Sequence, residues 1–435
     1  MPNFGRIISN LVNGLDRLNW SSDKLVKYQE EKLSLIIRNA YENVPYYHNL
    51  MRESGIYPDD IKTLTDLQKI PATKKDVYRK MPVEELLSKK VVVSKLKPQS
   101  TSGSSGSPLK FYLNPEEDDW RKAIYLRCNI SCGQTPFDNW AMITAPRHFH
   151  DTTNFQRITN LFSQRCISVF DKVEDQIAQL IKMKVSILDG YSGATFILAK
   201  EVEKRGITDI RPKMVLGSAD IIDKQSCRYI EKVFDAPYYD QFGCAEVDRT
   251  AWQCPERNFY HMDSDSVITE FIGKDGEVVG PGESGEVTYT SLYNTSMPFI
   301  RYSIGDIGRP AEGRCHCGRS LPLMEVVEGR KDSFIVLPDG RMISPRVLTV
   351  GLSTFEYYDK IDQFRIVQKK VNLFDVYLKM KSNGSSNQII LDSFYSHFKK
   401  VLGVQDAEIE FNVNFVDELP LDKTGRLNAV TSELS

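Results

Sequence analysis

The 435 residues are enough for more than one domain, and the formal net charge of −2 gives no general attraction to nucleic acid or to an anionic membrane. Hydrophobic residues make up 41% and charged residues 26%, ordinary values for a soluble globular chain and far from those of a disordered or membrane-spanning one. Eight cysteines in a chain of this length, with no export signal at its start, read as reduced thiols or metal ligands, and the chain is expected in the cytoplasm.

The first residues, Met1-Pro2-Asn3-Phe4-Gly5-Arg6-Ile7-Ile8, read either as a docked helix or as an amphipathic segment on a membrane surface. Residues 22–90 are expected to be mostly helical. Leu25, Tyr28, Leu33, Ile36, Ile37 and Ala40 recur at helical spacing, and Val44-Pro45 should end that helix. Two shorter helices are predicted at 66–71 and 73–77, the second with Thr73 as its N-cap.

The stretch Thr101-Ser102-Gly103-Ser104-Ser105-Gly106-Ser107-Pro108 cannot form a stable helix. Its glycines allow close approach of the backbone, and its hydroxyls and N–H groups can cradle an anion such as phosphate. A flexible Ser/Gly linker is the alternative reading. The flanks, Val91-Val92-Val93 before and Leu109 to Leu113 after, favour a tight turn between two strands. It is not a Walker loop, because Ser107 stands where a lysine would follow the second glycine.

Residues 115–131 read as a helix that opens in acids, favourable to its dipole. Strands are predicted at 140–144, 186–188 and 214–216, with helices at 173–183, 194–205 and 223–233. This alternation implies an α/β fold with a parallel sheet covered on both faces, whose ligands bind beyond the carboxyl ends of the strands. From 267 to 309 glycine turns punctuate short segments, which predicts a small, mainly antiparallel β unit. A boundary falls near Arg330. Beyond it, paired strands at 364–367 and 373–380, a helix at 388–401 and a strand at 407–415 make a compact α+β domain.

Five short motifs carry chemistry. The serine-rich loop is the first, and Tyr238-Tyr239-Asp240-Gln241-Phe242-Gly243-Cys244-Ala245-Glu246 is the second. Phe242 can stack on a flat base or lie in the core, and Glu246 can hold Mg²⁺ or simply open a helix. The others are Arg301-Tyr302-Ser303-Ile304-Gly305-Asp306, Gly329-Arg330-Lys331-Asp332 and Leu419-Pro420-Leu421-Asp422-Lys423-Thr424-Gly425-Arg426.

In this order and at these separations the motifs resemble the adenylate-forming superfamily, and within it the phenylacetate–CoA ligase family with its relatives from capsule-biosynthesis loci. The runs Ala40 to Tyr47 and Lys69-Ile70-Pro71-Ala72-Thr73-Lys74-Lys75-Asp76 are similar to that family's opening segments. The resemblance implies a helical segment at 1–95, an adenylate-forming core at 96–330 and a small mobile lid domain at 331–435. It places ATP phosphates on Thr101, Ser102, Gly103, Ser104, Ser105 and Gly106. Gly217, Ser218, Ala219 and Asp220 would line adenine together with Tyr239, Asp240, Gln241, Phe242 and Gly243, with Phe242 where the family has a stacking tyrosine. Glu246 would bind Mg²⁺, Asp306 the ribose with help from Arg330, and Asp332 would be the hinge. The acyl pocket would lie around 140–150 and 191–193. Where the family has a catalytic lysine near its C-terminus this chain has Arg426, with Lys423 three residues earlier as a possible substitute.

The activity so implied is activation of a carboxylic acid by ATP with release of pyrophosphate, then transfer to a thiol, with coenzyme A as the expected acceptor. Adenylyl or acyl transfer to an amine or glycan, and nucleotide binding without turnover, remain as alternatives. A homodimer fits the family. Separately, Cys254, His261, Cys315 and Cys317 supply three sulfurs and one imidazole, a set suited to structural zinc. His316 is an alternative nitrogen ligand, and unliganded buried thiols are the plainer reading.

Overall fold

A computed structural model describes residues 2–101, 109–149, 154–219, 224–328, 335–343, 345–381, 387–404, 409–419 and 429–434. The chain forms two compact units. One comprises Met1–Ser100, Leu109–Gln134 and Tyr239–Gly329, and the other Thr101–Pro108, Thr135–Tyr238 and Arg330–Ser435.

In the first unit the helix Ser22–Asn43 buries Leu25, Leu33, Ile36, Ile37 and Ala40, the apolar stripe expected of it. It stops because Val44, extended ahead of Pro45, cannot continue the helix, and Pro45 then opens the helix Pro45–Glu53 at its first position. The amino-terminal helix Phe4–Arg17 is docked. Ile7 and Leu11 pack with Ala123, and Arg6 pairs with Asp119 at 2.8 Å. Thr73 is not an N-cap: it lies in the short strand Thr73–Lys74, its hydroxyl shares a 2.9 Å hydrogen bond with Tyr46, and Lys74 takes the N-cap position of helix Lys75–Lys80 without a side-chain capping bond. Backbone pairing with Tyr302 outweighs the local capping preference. The strand before the serine-rich loop is Lys97–Ser100, paired with Lys110–Leu113, and not the valine run, where Val92 and Val93 are exposed.

The helix Pro115–Ser131 has the predicted bounds, and Asn114 and Glu117 close a capping box at its start. The sheet of this unit runs in the order Val267–Ile272, Gly285–Ser291, Tyr302–Ala311, Leu323–Glu328, Tyr260–Met262, Asp248–Gln253, Tyr238–Cys244. These neighbours pair antiparallel, while Thr73–Lys74 lies parallel to Tyr302–Ala311.

A buried charge cluster fastens the helices Phe4–Arg17 and Pro115–Ser131 to the turn between strands Tyr260–Met262 and Val267–Ile272. Arg127 reaches Asp263 at 2.5 Å and Asp265 at 2.6 Å, and Arg17 meets the same Asp265 oxygen at 2.5 Å. Burial would push the Asp265 carboxyl up, but the two guanidinium groups prevail and hold it below its ordinary value.

In the second unit Gln164–Ser168, Trp140–Thr144, Ile187–Tyr191 and Met214–Ser218 form a parallel sheet. The helices Val173–Met183, Ser192–Lys204 and Lys224–Phe234 bury Leu180, Leu198, Ala199, Ile230 and Phe234 in the core that this sheet shares. Gln164–Ser168 carries no apolar run to reveal it, because it is an outer strand with mixed burial. The carboxyl-terminal residues add a four-stranded sheet in the order Glu410–Phe415, Leu373–Met380, Ile361–Lys370, Val430–Ser432, with the helices Pro345–Ser353 and Asn387–Leu402. Phe364, Phe374, Phe394, Phe398 and Phe411 fill its core. Among the described residues no helix is long and apolar enough to cross a membrane.

Replacing Arg127 by Met takes the close guanidinium partner from buried Asp263 and leaves Asp265 with Arg17 alone, and is expected to cost about 3–5 kcal/mol. Urea unfolding would show this as a fall in midpoint, and an unchanged midpoint would show that the cluster does not hold the unit together.

Candidate active site and thiol cluster

Glu246 sits at the tip of a hairpin. Strand Tyr238–Cys244 pairs with Asp248–Gln253 through Gly243↔Arg249 and Cys244↔Asp248, which leaves 245–247 as the turn. Gly243 is required there, since a Cβ at that position would lie 2.2 Å from the Asp248 carbonyl oxygen. The turn is held from outside as well. Arg121 donates to the Ala245 carbonyl at 2.8 Å and pairs with Asp248 at 3.2 Å, and the Tyr293 hydroxyl donates to the Val247 carbonyl at 3.0 Å.

The Glu246 side chain is 1% exposed, yet two groups meet its Oε1. The Tyr302 hydroxyl donates at 2.6 Å and the Lys75 ammonium lies at 2.9 Å. Burial works to raise this carboxyl, but the charge of Lys75 and the two hydrogen bonds prevail, and Glu246 is held below the usual carboxylate range. It is therefore ionised at neutral pH, as a ligand for a hard cation must be. Tyr302, raised well above its ordinary value by burial and by the adjacent carboxylate, stays protonated and keeps donating.

Asp306 lies four residues beyond Tyr302 on the same strand, half-buried, after Gly305 in a left-handed conformation at φ 83°. Arg301 serves the fold. It pairs with Glu270 at 3.1 Å and donates to the carbonyls of Gln68 at 3.0 Å and Ile70 at 2.7 Å. Phe242 is 7% exposed and packs in the core of this unit. Its neighbour Gln241 faces the other side of the strand and donates to Asn129 at 3.3 Å. Tyr239 is buried, and Asp240 accepts the Tyr260 hydroxyl at 2.6 Å.

In the second unit Gly217 and Ser218 end a parallel strand beside Gly190 and Tyr191. A Cβ on Gly217 would fall 1.8 Å from the Tyr238 hydroxyl oxygen, so glycine is obligatory. That hydroxyl donates to Ser192 at 2.8 Å, and Ala219 turns away at φ 70°. The expected acyl and adenine residues are thus neighbours at the carboxyl ends of adjacent strands, although Trp140 begins its strand and is buried in the core. Thr101 is buried. Ser102, Gly103, Ser104, Ser105, Gly106, Asp220, Arg330, Asp332, Lys423 and Arg426 lie outside the described residues.

Lys75 and Tyr302 were both within quoted motifs, but nothing local in the sequence gives either a role. Their meeting at Glu246 depends on strand pairing across more than two hundred residues of chain.

The four metal-ligand candidates come together in the first unit, with their donor atoms all within 4.8 Å of one another. Cys254 Sγ lies 3.5 Å from Cys315 Sγ, and Cys317 Sγ lies 3.4 Å from His261 Nε2. Donors about 2.1–2.3 Å from a tetrahedral zinc would be roughly 3.5–3.8 Å apart, so the set fits that ion. Cys254 follows strand Asp248–Gln253, His261 lies in the next strand, and Cys315 and Cys317 precede Leu323–Glu328, which pairs with it. Burial and the nearby Arg319 lower His261 to about 4, which leaves it neutral and able to ligate at pH 7. His316 is not part of the cluster.

No protein-family model matches the chain. Among curated proteins it is 24% identical to the phenylacetate–coenzyme A ligase of Escherichia coli (strain K12) over 403 residues, covering 84% of each chain. It is 24% identical to the enzyme of the same name from Thermus thermophilus, over 81% of this chain and 80% of that one. Protein CapK of Staphylococcus aureus is 22% identical over 97% of this chain and 92% of its own. Among solved structures, 2-hydroxyisobutyryl-CoA ligase with 2-HIB-AMP and CoA in its thioesterification state matches with a TM-score of 0.65 at 19% identity, over 95% of this chain and 91% of that one. The chain is therefore similar to the phenylacetate–CoA ligases over most of its length, and it shares its α/β fold with 2-hydroxyisobutyryl-CoA ligase.

Proposed function

We propose that this protein is an AMP-forming acid–thiol ligase: it activates a carboxylic acid with ATP, releases pyrophosphate and passes the acyl group to coenzyme A. The observation that carries this reading is the buried, ionised Glu246 on a rigid hairpin, in a chain similar along most of its length to phenylacetate–CoA ligases. The acid and the α-phosphate are both anionic, so the protein's task is positioning and neutralisation more than covalent work. Magnesium, which Glu246 would hold, supplies neutralisation of the phosphates. Asp306 takes the ribose hydroxyls, Thr101 to Gly106 the terminal phosphates, and Gly217 to Asp220 the base, while Phe242 stays in the core. Arg426, seconded by Lys423, takes the place of the family's catalytic lysine. Residues 331–435 act as the lid, turning about Asp332, with Arg330 beside the ribose. A cytoplasmic homodimer is the setting we favour.

A pyrophosphate-release screen over aryl, aliphatic and amino acids, with and without coenzyme A, tests the reading. One acid class is expected to yield AMP and pyrophosphate, with turnover sustained by coenzyme A. Release of ADP, or ATP binding with no product, would overturn it. Asp306→Ala is expected to weaken ATP binding by roughly 1–3 kcal/mol, the cost of leaving buried hydroxyls unpaired, and unchanged affinity would remove the ribose assignment.

Transfer to an amine or glycan is a second reading. Arg426 in place of the lysine favours it. The same screen with amine and glycan acceptors added separates the two, since such an enzyme would turn over only with one of those acceptors.

We further assign Cys254, His261, Cys315 and Cys317 to one structural zinc. Metal analysis of the purified protein is expected to find one zinc per chain. Substituting Cys315 and Cys317 by serine should release it and lower the melting temperature. Finding no zinc in the unmodified protein would remove the assignment.

A further inference from the structure

The strand and helix that deliver Lys75 are fixed by contacts unrelated to its charge. Arg301 clamps the carbonyls of Gln68 and Ile70, and the Thr73 N–H donates to the Arg301 carbonyl at 2.8 Å. Thr73 and Lys74 then pair in register with Tyr302 and Ser303. Helix Lys75–Lys80 starts at once, and Tyr78 anchors it, 1% exposed, against Phe299 and Tyr302 with ring centroids 5.5 Å and 5.0 Å away. Lys75 is three residues before Tyr78 and so lies on the same face of that helix. Its ammonium meets the oxygen that Tyr302 also holds.

We propose that Lys75 is a tethered counter-ion of the cation site at Glu246, resting on the carboxylate in the ligand-free protein and giving it up to a divalent cation. This rests on the reading of Glu246 as the cation ligand. A magnesium ion about 2.1 Å from either oxygen of this carboxylate would lie only a few ångströms from an ammonium 2.9 Å from Oε1, and the two positive charges repel in this buried setting. The bond is built to be broken from one side. The Lys75 side chain is 24% exposed on a flexible stem, whereas Glu246 is 1% exposed and fixed by its hairpin. Arg127 shows the contrasting case, a planar group 0% exposed with two aspartate partners and no path to release.

Two consequences follow from the exchange. The unliganded fold never carries a bare buried carboxylate. A free divalent ion must displace the lysine without compensation, while an ion arriving with a nucleotide brings phosphates that the released ammonium can meet. Lys75 thereby couples the metal to the nucleotide, and the coupling is reciprocal.

Binding of Mn²⁺ alone, followed by the electron paramagnetic resonance of the free ion, tests this without any turnover. Lys75→Met removes a like charge beside the ion and is expected to bind Mn²⁺ about tenfold or more tightly than the unmodified protein, and Lys75→Arg to bind it as weakly as the unmodified protein does. Millimolar Mn²⁺ should raise the melting temperature of Lys75→Met by more than it raises that of the unmodified protein. Should Lys75→Met not fold, Lys75→Gln keeps a neutral donor on Glu246 and is expected to shift binding in the same direction. Adding ATP should tighten Mn²⁺ binding by a larger factor in the unmodified protein than in Lys75→Met.

Equal or weaker Mn²⁺ binding by both neutral variants would overturn the proposal. If Glu246→Gln meanwhile abolishes binding, the cation reading of Glu246 stands and the role of Lys75 alone falls. If Glu246→Gln leaves binding unchanged, both fall together.

Discussion

A carboxylate that is 1% exposed and still ionised has to be compensated by the protein around it. At Glu246 the compensation comes from two stretches far apart in sequence, the strand carrying Tyr302 and the turn into helix Lys75–Lys80. Neither could serve alone. A tyrosine hydroxyl supplies a directed hydrogen bond but no charge, and a lysine supplies charge but little direction. The parallel pairing of Thr73 and Lys74 with Tyr302 and Ser303 makes the two arrive side by side. The order of the first unit around this point follows from that need, including the diversion of Arg301 to carbonyls of the amino-terminal segment.

The hairpin shows the same logic at backbone level. Gly243 is there because any side chain would strike the facing strand, and Asp248 adopts a left-handed φ of 63° so that the chain can reverse within three residues. Arg121 and Tyr293 then occupy the carbonyls that such a tight turn leaves free of the ladder. Rigidity is what a ligand for a hard cation needs, since a carboxylate that wanders gives up affinity and geometry together.

Much of the fold was legible from pattern. The helices Pro115–Ser131 and Val173–Met183 and the strand Trp140–Thr144 have their predicted bounds, because each carries a strong local signal: a cap, a clean 3.6 period, or a run of buried apolar residues. Thr73 misled because strand pairing with a partner over two hundred residues away overrode a local preference. The outer strand Gln164–Ser168 left no trace, because one exposed edge relaxes the demand for apolar residues. Glu246 and the Cys254, His261, Cys315 and Cys317 set could be singled out as candidates because carboxylates, cysteines and histidines advertise their chemistry, and the structure brings the four donors of that set together. Lys75 could not be singled out. A lysine in a basic, helix-forming stretch has no local mark that separates a solvated side chain from one bound to a buried acid.

Three clusters in the first unit solve the problem of buried polar groups in three ways, and the difference between them separates scaffold from site. Arg127 with Asp263 and Asp265 closes on itself: acids and bases are buried together, and each acid has a planar or bidentate partner it cannot leave. Cys254, His261, Cys315 and Cys317 present donors with no cation of their own among them, and burial pushes the Cys254 thiol up to about 12. On the zinc assignment proposed above, an external ion would complete the set, and a closed shell of four protein ligands would leave that ion no open position for chemistry. Glu246 stands between these extremes, satisfied at rest by a cation that belongs to the chain yet reaches the carboxylate from a partly exposed, flexible side chain. A permanently sealed pair would exclude ligand, and an unpaired acid would burden the resting fold. On the exchange proposed above, the pair would avoid both, keeping the buried acid compensated at rest while leaving the site able to accept a metal with its nucleotide.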